Sequence, residues 1–209
     1  GTCLEELQII VDPKSPEEIE LFKPIYEFGT KGVSLEVQGT LVESPMSGQE
    51  VELKAKSIKI LGKVDASNYP ISKNKLTLEY LRKHLHLRIR TRTHAAISRI
   101  RNCCSMATHT FFQLHSFKYV HTPLITSNDC EGAGETFQIS NTLGEENEPF
   151  FGKNVNLTVS GQLHGETYAT SLGDIYTFGP TFRAENSNTS RHLAEFWMIE
   201  PEMCFINLR

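Results

Sequence analysis

Apolar and polar residues alternate near the start of the chain. Leu7, Ile9 and Val11 fall on one side of an extended segment, which predicts a half-buried strand. Ser15, Pro16 and Glu18 follow as a helix start. The serine side chain accepts from a free backbone N–H, the proline has no N–H to leave unpaired, and the glutamate completes a capping box. The predicted helix is short, about two turns. Val33, Leu35 and Val37 lead a second strand into Gly39, and Val51, Leu53 and Ala55 begin a third. The third strand changes phase to Ile58 and Ile60, and a phase change near Lys56–Ser57 predicts a β-bulge. Pro45-Met46-Ser47-Gly48 supplies the turn between them.

Three strands and a small helix do not close a barrel. They fit either the later part of a five-stranded oligonucleotide-binding barrel whose first strands precede Gly1, or a generic small β-module. Residues 64–93 keep no steady period, and Asp65 to Pro70 reads as a linker. The basic run Arg82, His84, His86, Arg88, Arg90 and Arg92 suits RNA phosphates or a solvated, ion-paired surface equally well. From Thr93 to Ser116 the pattern is helical. Ile97, Ile100, Cys104, Ala107, Phe111 and Leu114 recur at three- and four-residue steps and make one apolar stripe. A strand ending in His121-Thr122-Pro123 comes next, with the proline at its end because it cannot donate to a ladder. Residues 126–135 are small, polar and glycine-rich, and residues 140–154 carry turn formers and acids; both read as loops. Val155, Leu157 and Val159 form a further strand, and Ser160-Gly161-Gln162 opens a short helix. From Ile175 two strands are expected, joined by a polar loop at Asn186–Ser190.

Composition narrows the class. Of 209 residues, 39% are hydrophobic and 22% charged, so a buried core is expected rather than disorder. The net charge of −4 does not itself call for a nucleic-acid partner, although clustered basic groups on an acidic protein still allow one. The five cysteines show no CxxC pair and no His/Cys ligand spacing, which argues against a disulfide framework or structural zinc and for free thiols. No apolar run reaches bilayer-spanning length.

The last hairpin carries the chemistry. Alternation puts Arg183 and Glu185 on one strand face, and Phe196, Met198, Glu200 and Glu202 on one face of the returning strand. Trp197, Ile199, Met203 and Phe205 take the other face, expected to pack on a core. Ion pairing on a solvated sheet explains the charges. A nucleotide site explains in addition why Arg191 and His192 precede an aromatic strand, because arginine clamps a phosphate by two bonds and an aromatic face stacks a base.

Phe182-Arg183-Ala184-Glu185 followed by Arg191-His192-Leu193-Ala194-Glu195-Phe196 resembles motif 2 of the class II aminoacyl-tRNA synthetases, in the form of the aspartyl/asparaginyl subgroup. The long helix with Phe117 to Pro123 resembles motif 1, the dimer-interface element. Thr158 to His164 is similar to the substrate-binding strand of asparaginyl-tRNA synthetases, and Glu131-Gly132-Ala133-Gly134-Glu135 to the flipping loop that closes over the amino acid. The four stretches occur in family order over essentially the whole chain. The implied fold class is α+β: a partial OB-fold anticodon-binding domain at 1–63, a hinge at 64–93, and the N-terminal part of a class II antiparallel-sheet catalytic domain at 94–209.

The resemblance implies the reaction and its residues. Asparagine, ATP with Mg²⁺, and tRNA(Asn) are the expected partners, in a homodimer formed through motif 1, in cytoplasm or mitochondrion. Arg183 would hold the α-phosphate as the catalytic cation. Glu185, Arg191, His192 and Phe196 would complete the ATP site, with Phe196 on adenine and His192 near the distal phosphates. Glu131, Ser160, Gln162, Glu200 and Glu202 would line the amino-acid site, Glu131 toward the α-ammonium group. No protein metal ligand is expected. Aspartyl enzymes of the subgroup carry a lysine three residues after the substrate glutamine; here Gly165 stands there, which favours asparagine over an aspartyl or dual specificity. The chain ends at Arg209, ahead of where a third motif with a second ATP-binding arginine is expected. The 209 residues alone are therefore expected not to form the adenylate, and a non-catalytic tRNA-binding fragment is the alternative reading.

Overall fold

A computed structural model describes residues 5–71, 75–130, 132, 135–140, 149–187 and 189–207. The chain divides into two compact units, residues 1–100 and 101–209. Glu131 lies outside the described residues, so its expected role has no structural account.

The first unit is built on a three-stranded mixed sheet. β1 (Gln8–Ile10) runs parallel to β3 (Val51–Gly62), and β2 (Ser34–Glu43) pairs antiparallel with β3 on its other edge. Among the described residues these strands form no closed barrel. The expected bulge is present: Gln38 faces Ser57 and Gly39 faces Ala55, so Lys56 is the extra residue that changes the strand's phase. α1 (Pro16–Phe28) is 13 residues, longer than the two turns the pattern suggests. The Ser15 side chain accepts from the Glu18 N–H as expected, while the Glu18 carboxylate accepts from Lys14 rather than from Ser15, one residue further back than a standard capping box. The helix continues through Pro24, and the Gly29 N–H closes its last turn on the Ile25 carbonyl. Phe22 is its buried side chain. Two short helices, α2 (Leu78–Arg82) and α3 (Leu85–Arg88), occupy the stretch that lacked a period, with Leu81 and Ile71 buried. Helices of four or five residues are too short to display one.

α4 (Arg92–Leu114) is the long expected helix, and from Arg101 onward it belongs to the second unit. Its apolar stripe is not the face it buries. Ile97, Ile100, Cys104, Ala107, Phe111 and Leu114 are all exposed, while Ser105, Thr108, His109 and Phe112 are half-buried. The covered face has the same three- and four-residue steps but joins a polar–aromatic cluster. His109 Nδ1 and the Tyr176 hydroxyl share a 2.8 Å hydrogen bond, Phe112 stacks on Tyr176 at 4.5 Å, and His109 meets Tyr119 and Phe178 edge-on. Tyr176 is fully buried, and its hydroxyl requires a partner there. The His109 imidazole supplies it.

The partner of α4 is a second three-stranded sheet. β4 (Lys118–Tyr119) runs parallel to β8 (Ile175–Phe182), which pairs antiparallel with β9 (Glu195–Glu202) along its whole length. A third small antiparallel sheet has β7 (Val155–Leu157) between β5 (Ile125–Thr126) and β6 (Gln138–Ile139). α5 (Gln162–Leu172) packs on β8 and β9, and Val120, Ala169 and Ile175 form the buried core beneath it. The two faces of β9 reverse the expectation. Trp197, Ile199, Met203 and Phe205 are exposed, whereas Phe196, Met198, Glu200 and Glu202 are half-buried. β9 is the edge of its sheet among the described strands, and Phe178 is the aromatic neighbour of Trp197, edge-on at 5.2 Å. The strand alternates as read; which side is covered follows from α5.

Candidate functional site

The site lies where the end of β8, the start of α5 and the α5 side of β9 converge. The β8–β9 ladder ends at Phe182–Glu195, and the Arg183 N–H adds one more bond to the Ala194 carbonyl. Neighbouring backbone bonds anchor the same corner, from Phe182 to the Thr158 carbonyl and from Ala184 to the Glu135 carbonyl. Arg183 therefore leaves a braced strand end rather than a free loop. Its guanidinium carbon stands 5.6 Å from the centroid of the Phe196 ring, within cation–π range. Its Nε is buried and has no hydrogen-bond partner among the described residues. An unpaired buried donor costs about 1–3 kcal/mol, so an anionic acceptor would be stabilised there.

Glu185 sits next to this arginine, with a carboxylate oxygen 4.0 Å from its terminal nitrogen and the other 3.6 Å from His192 Nε2. His192 is held from its other nitrogen by the Thr189 and Ser187 hydroxyls. Arg183, Glu185, His192 and Phe196 are thus brought together. Arg191 is not: it is exposed in the connection, where its backbone N–H donates to the Thr189 hydroxyl. That connection runs from 183 to 194, longer than the loop expected at 186–190.

The acidic half of the site is tightly organised around Glu200. Its Oε1 accepts from the Ser160 hydroxyl, and its Oε2 accepts from the Gly161 N–H at 3.0 Å and the Thr177 hydroxyl at 2.9 Å. Gly161 is needed for its lack of bulk. A Cβ there would lie 2.9 Å from the Thr122 hydroxyl and 3.0 Å from both the Glu200 carboxylate and the Thr177 hydroxyl. The Gln162 amide is held at both ends, donating to Glu166 at 3.2 Å and accepting from the Cys130 thiol at 3.7 Å. Glu202 lies one pleat beyond Glu200. Burial, then the charges of Glu166 and Glu200, raise its carboxyl above the usual glutamate value.

Cys130, Ser160, Gln162, Arg183, Met198, Glu200, Pro201 and Glu202 line one cleft of about 440 Å³. A cation stands at one part of it and crowded carboxylates at another. The arrangement suits a ligand that is itself zwitterionic, with an anionic group for Arg183 and a cationic one for the acids. Sequence reasoning missed Cys130, Gly161, Glu166 and Thr177. The Gln162–Glu166 pair is legible from helical i, i+4 spacing, whereas Thr177 is found only through the β8–β9 register, which sets it opposite Glu200. Among the described residues, no group of three or more histidine, cysteine or acidic side chains could hold a metal ion.

Gly165, on the second turn of α5, is buried against this acidic wall. A Cβ there would touch Glu202 Cγ and Ile175 Cδ1, each at 3.5 Å.

Comparison with known proteins gives a consistent answer. Residues 77–209 match the family model described as tRNA synthetases class II (D, K and N). The chain is 51% identical over 228 residues to an asparagine–tRNA ligase of Treponema denticola and 52% identical over 209 residues to one of Desulfotalea psychrophila. All of this chain aligns with them, and it covers 48% and 45% of their lengths, so it spans about half the curated relatives it matches. Among solved structures, it is similar to asparaginyl-tRNA synthetase from Pyrococcus horikoshii complexed with asparaginyl-adenylate. The TM-score there is 0.74 at 26% identity, over 84% of this chain and 38% of that one. The Entamoeba histolytica asparaginyl-tRNA synthetase shares the fold, with a TM-score of 0.76 at 23% identity, over 90% of this chain and 43% of that one.

Proposed function

The chain belongs to the class II tRNA synthetases of the D, K and N group, and from that premise we propose that the protein works in the ATP-dependent attachment of asparagine to tRNA(Asn). The observation that carries the reading is the cleft itself, with Arg183 and its unpaired buried Nε at one part and Glu200 and Glu202 at another. The amino-acid carboxylate attacks the α-phosphorus of ATP, pyrophosphate leaves, and the terminal ribose hydroxyl of the tRNA then attacks the acyl carbon as AMP leaves. No enzyme nucleophile takes part. The rate comes from alignment and from stabilising charge on the phosphate oxygens.

Arg183 binds the α-phosphate, and Phe196 stacks on the adenine. Glu185 holds both Arg183 and His192 in place, with His192 toward the distal phosphates. Arg191 reaches the phosphates from the loop once ATP is bound. Glu200 and Glu202 receive the substrate's ammonium group, and Ser160 and Gln162 orient the amino acid. Glu131 would add its carboxylate to the ammonium group. Mg²⁺, carried with ATP, would offset the charge of its phosphates. Gly165, where a lysine would welcome a carboxylate, leaves the acidic wall unneutralised and disfavours aspartate.

Residues 1–63 are proposed as part of an oligonucleotide-binding barrel that reads the anticodon, 64–93 as a hinge, and 94–209 as the start of the catalytic domain. The bulged β2–β3 pair and the exposed Lys54, Lys56 and Lys59 on β3 support the first assignment. The exposed apolar stripe of α4 supports a homodimer formed through that helix.

The test is amino-acid-dependent ATP–pyrophosphate exchange. It is run on the protein and on a chimera completed with the remainder of the Treponema denticola relative. Asparagine and not aspartate should drive exchange in the chimera, and transcripts of tRNA(Asn) should be charged. Exchange driven by aspartate, or by neither amino acid, overturns the reading.

A further inference from the structure

We infer that Thr177 is a positioning residue for amino-acid recognition, acting through Glu200; this rests on the reading of the cleft as the asparagine site. Thr177 is buried, on the face of β8 that looks toward α5, directly across the ladder from Glu200. Its hydroxyl donates to Glu200 Oε2 at 2.9 Å. The same oxygen accepts from the Gly161 N–H at 3.0 Å, and the other oxygen accepts from Ser160. A carboxylate offers about four lone-pair directions, so three are used and one on Oε1 remains. Rotation of the carboxylate about its last bond would break at least one of these bonds. The group is therefore presented to the cleft in a single orientation, without reorganisation when a cation arrives.

Glu200 could not be held this way by the backbone alone. Gly161 contributes one N–H, and Ser160 sits on the segment leading into α5, on the same side of the carboxylate as Gly161 in sequence. Thr177 is the donor that belongs to the sheet carrying Glu200. It ties the carboxylate to its own ladder while Ser160 and Gly161 tie it to α5. Losing the hydroxyl leaves Oε2 with the Gly161 N–H only, and a hydrogen bond to a charged group of this kind changes affinity by about tenfold or more.

The experiment is calorimetric titration of the purified protein with L-asparagine and, separately, with ATP. Thr177→Val keeps the shape and removes the donor; it should weaken asparagine about tenfold and leave ATP unchanged. Thr177→Ser restores the donor and should return asparagine affinity to near the parent's. In a Glu200→Gln background, Thr177→Val should add nothing, because the group it positions is no longer a carboxylate. Unchanged asparagine affinity in Thr177→Val, equal loss for ATP, or full additivity with Glu200→Gln overturns the assignment. A parent protein that binds ATP but no asparagine overturns the reading of the cleft itself, and the role of Thr177 with it.

Discussion

Arg183 and Phe196 face each other across the end of the β8–β9 ladder, guanidinium carbon to ring centroid 5.6 Å. The ladder ends one residue before Arg183, so the pair is set by strand register rather than by loop conformation. Removing the guanidinium should therefore cost chemistry without unfolding the corner. Arg183→Ala is expected to slow adenylate formation in the exchange-competent enzyme by about 10²–10³-fold. Arg183→Lys should recover little, since a point charge does not reproduce the planar fork. Affinity for tRNA should stay near the parent value. Equal loss of exchange and tRNA binding would remove Arg183 from the proposed role.

Two glycines one helical turn apart should respond in opposite directions to the same substitution. Gly161→Ala drives a methyl group within 3.0 Å of three polar oxygens, and its φ of −81° shows that the penalty is steric rather than conformational. A loss of about 1–3 kcal/mol in stability is expected, together with weakened asparagine binding. Gly165→Ala adds a methyl group at ordinary contact distance inside α5 and should stabilise by about 0.5–1 kcal/mol. Thermal melts of the two variants check both signs.

Glu202 makes stability depend on pH. Its carboxyl is raised by burial and by Glu166 and Glu200, so the folded protein binds that proton more tightly than the unfolded chain does. Between the ordinary glutamate value and the raised one, stability falls as pH increases, and it is level above that interval. Glu202→Gln should flatten this decline and raise Tm at neutral pH. Asparagine binding, which needs the ionised acid, should strengthen across the same interval. Melts and titrations at stepped pH would show a parallel Glu202→Gln curve if the assignment were wrong.

Phe111 on the exposed stripe of α4 reports on the proposed dimer. Phe111→Asp places a charge on that stripe and should shift the protein to monomer in sedimentation, while leaving the His109–Tyr176 contact on the opposite side intact. A dimer unaffected by the substitution would place the interface elsewhere, and a parent that sediments as monomer would remove the proposed dimer.

Much of this molecule was legible in its residues. The Ser15 cap, the bulged Lys56, the long helix, the α5 start at Gln162 and the family itself all follow from local pattern or from motif order. Apart from the motif order, these features depend on neighbours within a few positions, where backbone geometry alone relates sequence to structure. Alternation and helical spacing also grouped the correct residues onto each face of α4 and β9. Tertiary structure decided which face was covered. The α4 stripe richest in isoleucine and phenylalanine is exposed, while the side that carries His109 and Phe112 packs on Tyr176. Glu202 is perturbed, and Thr177 holds Glu200, only because two strands align in one register and a helix caps them. Periodicity determines which side chains travel together. The free energy of each face depends on what is brought against it, and that is a property of the assembled fold.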